Sequence, residues 1–275
     1  MVDIHCHIVP GVDDGAASLE MSLAMIEDAR RSGVTSILTT PHIRGCMEDA
    51  FVHELHKQAF QTVLDAKPAM DLHLGGEVRV TPETHRVTDR PEFTADERSK
   101  YILLELEFDK VPSYFSQVLF EYRLHGITPI IAHPERNVGI LKNPEYALDF
   151  VRQGAHLQVT TGSILGELGE SFEQCAHLLL ECGLVSMLSS DAHNTTTRPF
   201  TNWPGAYEFM QEFEKKGNFI RPITANDVCT NNAAAVCNGT PLAPVDLDEN
   251  AISAIRARLS QITPSTVKRK RFFLL

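Results

Sequence analysis

Seven short β-patterned runs, each followed by a helix-patterned segment, constrain this chain more than any other feature. The strand candidates begin at Val2, then occupy Thr35 to Thr40, Asp71 to Leu74, Tyr101 to Leu106, Ile127 to Ala132, Ala155 to Thr160 and Leu184 to Ser189. Between them, Ser18 can cap a helix carrying Leu19, Leu23 and Ile26, and Gly33 sits where such a helix would close. Ala50 to Ala66, Pro112 to Leu124, Pro144 to Gln153 and Phe172 to Cys182 also read as helices. Alternation without any run of strands alone predicts a parallel sheet with helices outside it, and seven units suit a barrel better than an open sheet. The expected fold is therefore an α/β seven-stranded barrel, (β/α)7 and TIM-like. Thr81 to Arg98, with Pro82 and Pro91, is expected to be a loop with short helical turns. Beyond the seventh unit come a helix near Tyr207 to Lys216 and an amphipathic one with Ile252, Ile255, Leu259 and Ile262 on one stripe. With no internal repeat and no dividing linker, residues 1–275 are expected to form one domain, with 264–275 a basic, apolar tail.

The strand ends share a chemistry. His5 and His7 are two apart in a strand-like segment, so both imidazoles project the same way. Pro10 and Gly11 stop that segment, and Asp13-Asp14-Gly15 forms a turn that can return a carboxylate over the histidines. An isolated pair of this kind would read as solvated surface histidines. Here, however, His42, Glu77, Glu105, His133, Asp191 and His193 all fall at or just beyond later strand ends. In barrels of this class the chemistry sits at that end. Glu105 lies within the otherwise apolar run YILLEL, where a charge requires a partner.

Composition narrows the function. A net charge of −11 argues against a general nucleic-acid binder, which needs a basic face. No apolar run reaches the roughly 20 residues of a membrane-spanning helix. The six cysteines include no CxxC pair and the chain opens on a strand, which points to a reduced, cytoplasmic protein. The terminal KRKRFFLL is expected to be a solvated terminus, and any membrane contact is expected only through it or through a partner.

Imidazoles and carboxylates without ordered thiolates suit Mn²⁺, Fe, Zn, Co or Mg ions. Eight or nine such groups are too many for one ion and fit a cluster of two or three. Paired metals activate water and stabilise both the attacking and leaving oxygens of phosphoryl transfer, so phosphoester hydrolysis is the expected reaction. Arg136, three residues after His133, and Arg198, five after His193, can supply guanidinium forks for phosphate oxygens.

These residues also match a known family. HCHIVPGVDDG resembles the DIHxHxxPGxDDG signature of PHP-type (polymerase and histidinol phosphatase) metallophosphoesterases, in particular the tyrosine phosphatases of bacterial capsule and exopolysaccharide operons. The resemblance continues through TTPH at 39–42, GGEV at 75–78, ILLEL at 102–106, AHPERN at 132–137, SSDAHN at 189–194 and RP at 198–199. It implies a distorted seven-stranded barrel with a trinuclear site. By that resemblance His5, His7 and Asp191 would hold one ion, and Glu77 would bridge it to a second completed by Glu105 and His133. Asp14, His42 and His193 would hold the third. Arg136 and Arg198 would take the phosphate oxygens, and Asp191 or His193 could also relay a proton. The implied substrate is phosphotyrosine on the tyrosine-rich tail of a bacterial tyrosine autokinase, and the usual ion is Mn²⁺.

Cys6 stands where the family more often has serine, and as the odd member of its segment it should point away from the ligands. Glu107, two after Glu105, is a competing ligand, although Glu105 matches the motif. Three rival readings compete with this one. A cysteine-dependent phosphatase would need an arginine six positions after its cysteine; position 12 is valine, and no other cysteine has that spacing. A histidinol-phosphate or other small-molecule phosphatase of the same fold would use the same ligands. A metal-binding scaffold without catalysis would more naturally have lost one of them.

Overall fold

The computed structural model describes residues 1–44, 49–84 and 100–261, with only the backbone of 49–51. Cys46, most of the Thr81 to Arg98 segment, Ile262 and the 264–275 tail therefore lie outside the described residues. Nine parallel strands are described: β1 (Val2–Asp3), β2 (Ser36–Thr39), β3 (His42–Ile43), β4 (Asp71–Leu74), β5 (Glu77–Arg79), β6 (Tyr101–Glu105), β7 (Thr128–Ala132), β8 (His156–Thr160) and β9 (Val185–Ser189). Helices α1 (Leu19–Arg31), α2 (Asp49–Asp65), α3 (Phe115–Leu124), α5 (Glu145–Arg152) and α7 (Glu170–Glu181) follow the expected alternation, with short α4 (Val138–Lys142) and α6 (Thr161–Ile164) between them. α8 (Trp203–Lys216), α9 (Asn232–Cys237) and α10 (Glu249–Leu259) complete the chain. Ser18 caps α1 by accepting a hydrogen bond from the Met21 amide at 3.3 Å, and Gly33 and Gly183 adopt the left-handed φ that the sharp turns after α1 and α7 require.

Instead of seven strands in one ladder, the described strands form two parallel sheets, ordered β1-β2-β4 and β3-β5-β6-β7-β8-β9. The expected closed barrel ladder is not formed. The second expected strand breaks at Pro41, which has no amide hydrogen to donate, and the third breaks at Gly75-Gly76. Hence Glu77 opens a strand instead of ending one. The chain itself carries the first sheet into the second at these breaks, and pairing continues on either side: the Gly75 amide donates to Thr39 O at 2.9 Å beside the β2-β4 pair and the Glu77 amide to Pro41 O at 3.1 Å beside the β3-β5 pair. At the other seam, Asp191 donates to His5 O and His7 to Ala192 O, both at 2.8 Å, around an isolated Cys6–Ala192 bridge.

Burial follows the pleat on both faces. Ile102, Leu104 and Ile131 pack into the large cluster shared with helix residues such as Met25, Leu119, Leu148 and Leu179. The alternating Tyr101, Leu103, Ile130 and Ala132 face a second cluster with Val2, Ile4, Met187 and α9 residues Ala233 and Val236. Strands buried on both faces leave their C-terminal ends as the place for polar groups. No helix among the described residues is long and apolar enough to cross a membrane.

Candidate metal centre

Strand termini and the loops beside them gather all nine expected ligand residues: His42, Glu77 and Glu105 lie within strands and the other six in the adjoining loops. Ligand atoms within 4.8 Å of one another define four overlapping groups: His5 with His7 and Asp191; His5 with Glu77 and His133; His7 with Asp14, His42 and His193; and His42 with Glu77 and Glu105. Glu77 is central. Its Oε2 lies 3.3 Å from both His5 Nε2 and His7 Nε2 and 3.0 Å from His42 Nδ1, while Oε1 lies 3.0 Å from His133 Nε2. Asp191 Oδ1 is 3.3 Å from His5 Nε2 and 3.4 Å from His7 Nε2. Asp14 Oδ1 meets His42 Nε2 at 3.2 Å and His193 Nε2 at 3.6 Å. Glu105 sits on the His42 side of Glu77, 3.8 Å from His42 Nδ1, and not beside His133. Its charge partner is Arg79, Nε to Oε2 2.8 Å, a residue sequence reasoning did not single out. Glu107 is brought instead to Lys110, at 2.8 Å, outside the four groups.

Local backbone explains the aim of these side chains. His133 (φ 32°) and Asp191 (φ 51°) both adopt left-handed conformations that non-glycine residues rarely take, and both lie at the cluster. After His133 the turn Pro134–Arg136 is anchored by buried Glu135, whose Oε1 accepts from the Thr160 amide at 3.1 Å and Ser163 Oγ at 2.7 Å. Asn194 Oδ1 accepts from the amides of Thr196, Thr197 and Arg198 at 2.9, 2.7 and 3.2 Å, folding the loop that returns Arg198 to the site.

Outer partners fix the ring tautomers. His5 Nδ1 lies 2.8 Å from Gln158 Oε1, His7 Nδ1 lies 2.7 Å from Asp13 Oδ2, and His193 Nδ1 lies 2.9 Å from Asp191 O. With Nδ1 carrying the proton, each Nε2 turns a lone pair inward, an arrangement typical of metal-bound histidine. Those inward atoms have no other use. His5 Nε2, His7 Nε2, His193 Nε2, Glu77 Oε2 and Asp191 Oδ1 are buried without a hydrogen-bond partner, although buried polar groups are nearly always satisfied. Several convergent, unsatisfied N and O donors therefore fit divalent cations.

Electrostatics point the same way. Burial opposes ionisation of Glu77, but the imidazoles of His5, His133 and His42 around it hold it well below the usual carboxylate range. Asp191 is buried too, and Arg198, His5, His193 and Arg136 hold it well below that range. Burial, reinforced by the Glu77 charge, pushes Glu105 up to about 7. Burial and the adjacent Arg136 bring His133 down to about 4, so its ring is neutral and able to ligate.

Arg136 and Arg198 reach the cluster through its carboxylate: Arg136 Nη1 and Arg198 Nη2 both pair with Asp191 Oδ2. Each keeps about a quarter of its side chain exposed at the mouth, 22% and 26%. Cys6 is fully buried in the large apolar cluster, and burial raises its thiol well above its ordinary value, which removes a thiolate nucleophile.

The site has counterparts in known proteins. A family model described as capsular polysaccharide synthesis, CpsB/CapC, matches residues 1–236. The chain is 37% identical to the tyrosine-protein phosphatase YwqE of Bacillus subtilis (strain 168) over 218 residues, 78% of this chain and 85% of the relative. It is 29% identical to the putative tyrosine-protein phosphatase CapC of Staphylococcus aureus over 234 residues, 80% of this chain and 91% of that one. Among solved structures it is similar to one from work on YwqE of Bacillus subtilis and CpsB of Streptococcus pneumoniae, described as unique metal-dependent tyrosine phosphatases. That match has a TM-score of 0.76 at 31% identity and covers 90% of this chain and 100% of the other. Since the family match spans every residue of the cluster, this chain belongs to the CpsB/CapC family of capsular polysaccharide synthesis.

Proposed function

We propose that this chain is a metal-dependent protein-tyrosine phosphatase that hydrolyses phosphotyrosine on a protein of capsular or exopolysaccharide synthesis. The observation that carries the reading is the set of buried, unsatisfied imidazole and carboxylate atoms converging on Glu77 and Asp191 beneath two arginines. The named relatives and the metal-dependent tyrosine phosphatases of the matching structure support it.

In this reading His5, His7 and Asp191 would hold one ion, Glu77 and His133 with His5 a second, and Asp14, His42 and His193 with His7 a third, with Glu105 available from the His42 side. Bound divalent ions supply water activation and neutralise charge during phosphoryl transfer. The chain's own groups supply the rest. Gln158 and Asp13 keep the Nε2 lone pairs of His5 and His7 directed inward. Arg136 and Arg198 orient the phosphate through the N–H groups not engaged with Asp191, and His193 or Asp191 can pass a proton at the same mouth. A tyrosinate leaving group, with a pKa of about 10, needs little help from a general acid. We take Mn²⁺ as the working ion, a bacterial tyrosine autokinase as the substrate protein and the cytoplasm as the location. We also take residues 1–275 as one domain whose two sheets form a distorted barrel, a reading supported by the bonds that join the segments following β1 and β9 and by the direct passage of β2 into β3 and β4 into β5.

The test is release of phosphate from a phosphotyrosine peptide, a phosphoserine peptide and histidinol phosphate by chelator-stripped protein, with and without added Mn²⁺. Metal-dependent turnover preferring phosphotyrosine is expected. Preference for histidinol phosphate would move the function to small-molecule metabolism, and equal turnover with and without metal would overturn the metal role.

A further inference from the structure

The expected first strand stops early, at Asp3, and the reason lies in that residue's carboxylate. Asp3 is fully buried. Its Oδ1 accepts from the His5 amide at 3.0 Å, a side-chain turn over two residues that bends the chain out of the β1 ladder. Its Oδ2 accepts from the Ser190 amide at 3.0 Å and from Trp203 Nε1 at 2.6 Å. One carboxylate thus holds the backbone of His5 and of Ser190, the residue just before Asp191, two positions 185 apart in sequence. The backbone is not free to settle there by itself, because Asp191 is in the left-handed region. The Asp191 amide then returns to His5 O at 2.8 Å, closing the junction.

We propose that Asp3 is the positioning residue of the metal centre, a buried clamp that sets the distance between the His5 and Asp191 ligand atoms and couples them to Trp203. The inference rests on the metal reading above. A carboxylate fits this place, since the three N–H partners can only donate. In Asp3→Asn the amide NH₂ would face either the Ser190 and Trp203 N–H groups or the His5 N–H, so a donor meets a donor in both orientations.

The experiment compares Mn²⁺ dissociation constants of chelator-stripped wild-type and Asp3→Asn full chains by electron paramagnetic resonance, with circular dichroism to establish folding. Outer partners of metal ligands typically carry about 10- to 100-fold in affinity, and a loss of that size is expected for folded Asp3→Asn. Folded Asp3→Asn protein within threefold of wild type would overturn the clamp. Should the variant not fold, the wild type decides the matter. Trp203 is the chain's sole tryptophan, so its indole N–H is a single resonance. Titration of stripped wild type with diamagnetic Zn²⁺ should move that resonance with the same midpoint as calorimetric binding, and an unmoved resonance on the Zn²⁺-loaded protein would overturn the coupling. If wild type binds neither ion, the metal reading itself fails. If wild type binds and Asp3→Asn matches it, only the clamp does.

Discussion

Asp13→Ala isolates the outer layer of the site. Its carboxylate is 3% exposed and accepts from three donors: His7 Nδ1 at 2.7 Å, the Gly15 amide at 2.9 Å and the His42 amide at 3.1 Å. Each hydrogen bond to a charged acceptor is worth about 1.5–3 kcal/mol, so the gross loss is several kcal/mol. Removing the carboxylate also relieves its own burial penalty, and water can reach the turn beside exposed Asp14, so the net destabilisation should be about 2 kcal/mol. The larger signature is in metal binding. Without Asp13, His7 loses the acceptor that fixes its tautomer, and affinity should fall by about 10- to 100-fold, or about 1.4–2.7 kcal/mol. Urea unfolding of the stripped protein measures the first effect and Mn²⁺ titration the second. An Asp13→Ala protein that binds Mn²⁺ as tightly as wild type would refute the tautomer argument, whatever its stability.

Three further outcomes are expected. In Gly15→Ala the new Cβ would lie 2.2 Å from His7 O and 2.4 Å from His7 Cβ, so the turn must displace His7; steady-state kinetics should show kcat/KM falling about tenfold or more, and wild-type kinetics would contradict the packing argument. Arg136→Ala should retain the metal, since all four ligand groups remain, but should raise KM for aryl phosphates; unchanged KM and kcat would remove Arg136 from the site. Burial, together with the Arg221 charge, brings His156 down to about 4 from 6.5. Because its folded value is the lower one, the unfolded chain takes up the proton first. Stability is therefore full above pH 6.5 and falls by about 3 kcal/mol as pH drops to 4. His156→Gln should flatten that part of the urea-derived stability profile, and an identical slope would refute the assignment.

How much of this was legible in the sequence depends on the range of the interaction. The alternation of strands and helices, and the delivery of His5, His7, His42, His133 and Asp191 near strand ends, follow from local periodicity, and the chain does bring these residues together. The breaks at Pro41 and Gly75-Gly76 were visible as residues, but their consequence, a ladder divided into two sheets, depends on partners across the fold. Gln158 could not have been tied to His5 from any local pattern, since 153 residues separate them and its neighbours read simply as strand. Arg79 was hidden for a similar reason: the partner that Glu105 required lies on the adjacent strand, in register opposite it. Asp3 looked like an ordinary polar residue before the histidines, and only the return of Ser190 and Trp203 reveals its three donors.

If the converging histidines and carboxylates form a multinuclear hydrolytic centre, the chain must load more than one ion. Metal stoichiometry, measured by elemental analysis on the Mn²⁺-loaded full chain alongside phosphotyrosine-peptide turnover, tests it most directly. Two or three ions per chain are predicted, with His5→Ala and His133→Ala losing metal and turnover together. An active protein carrying no ion, or a metal-replete and fully active His5→Ala variant, would contradict it.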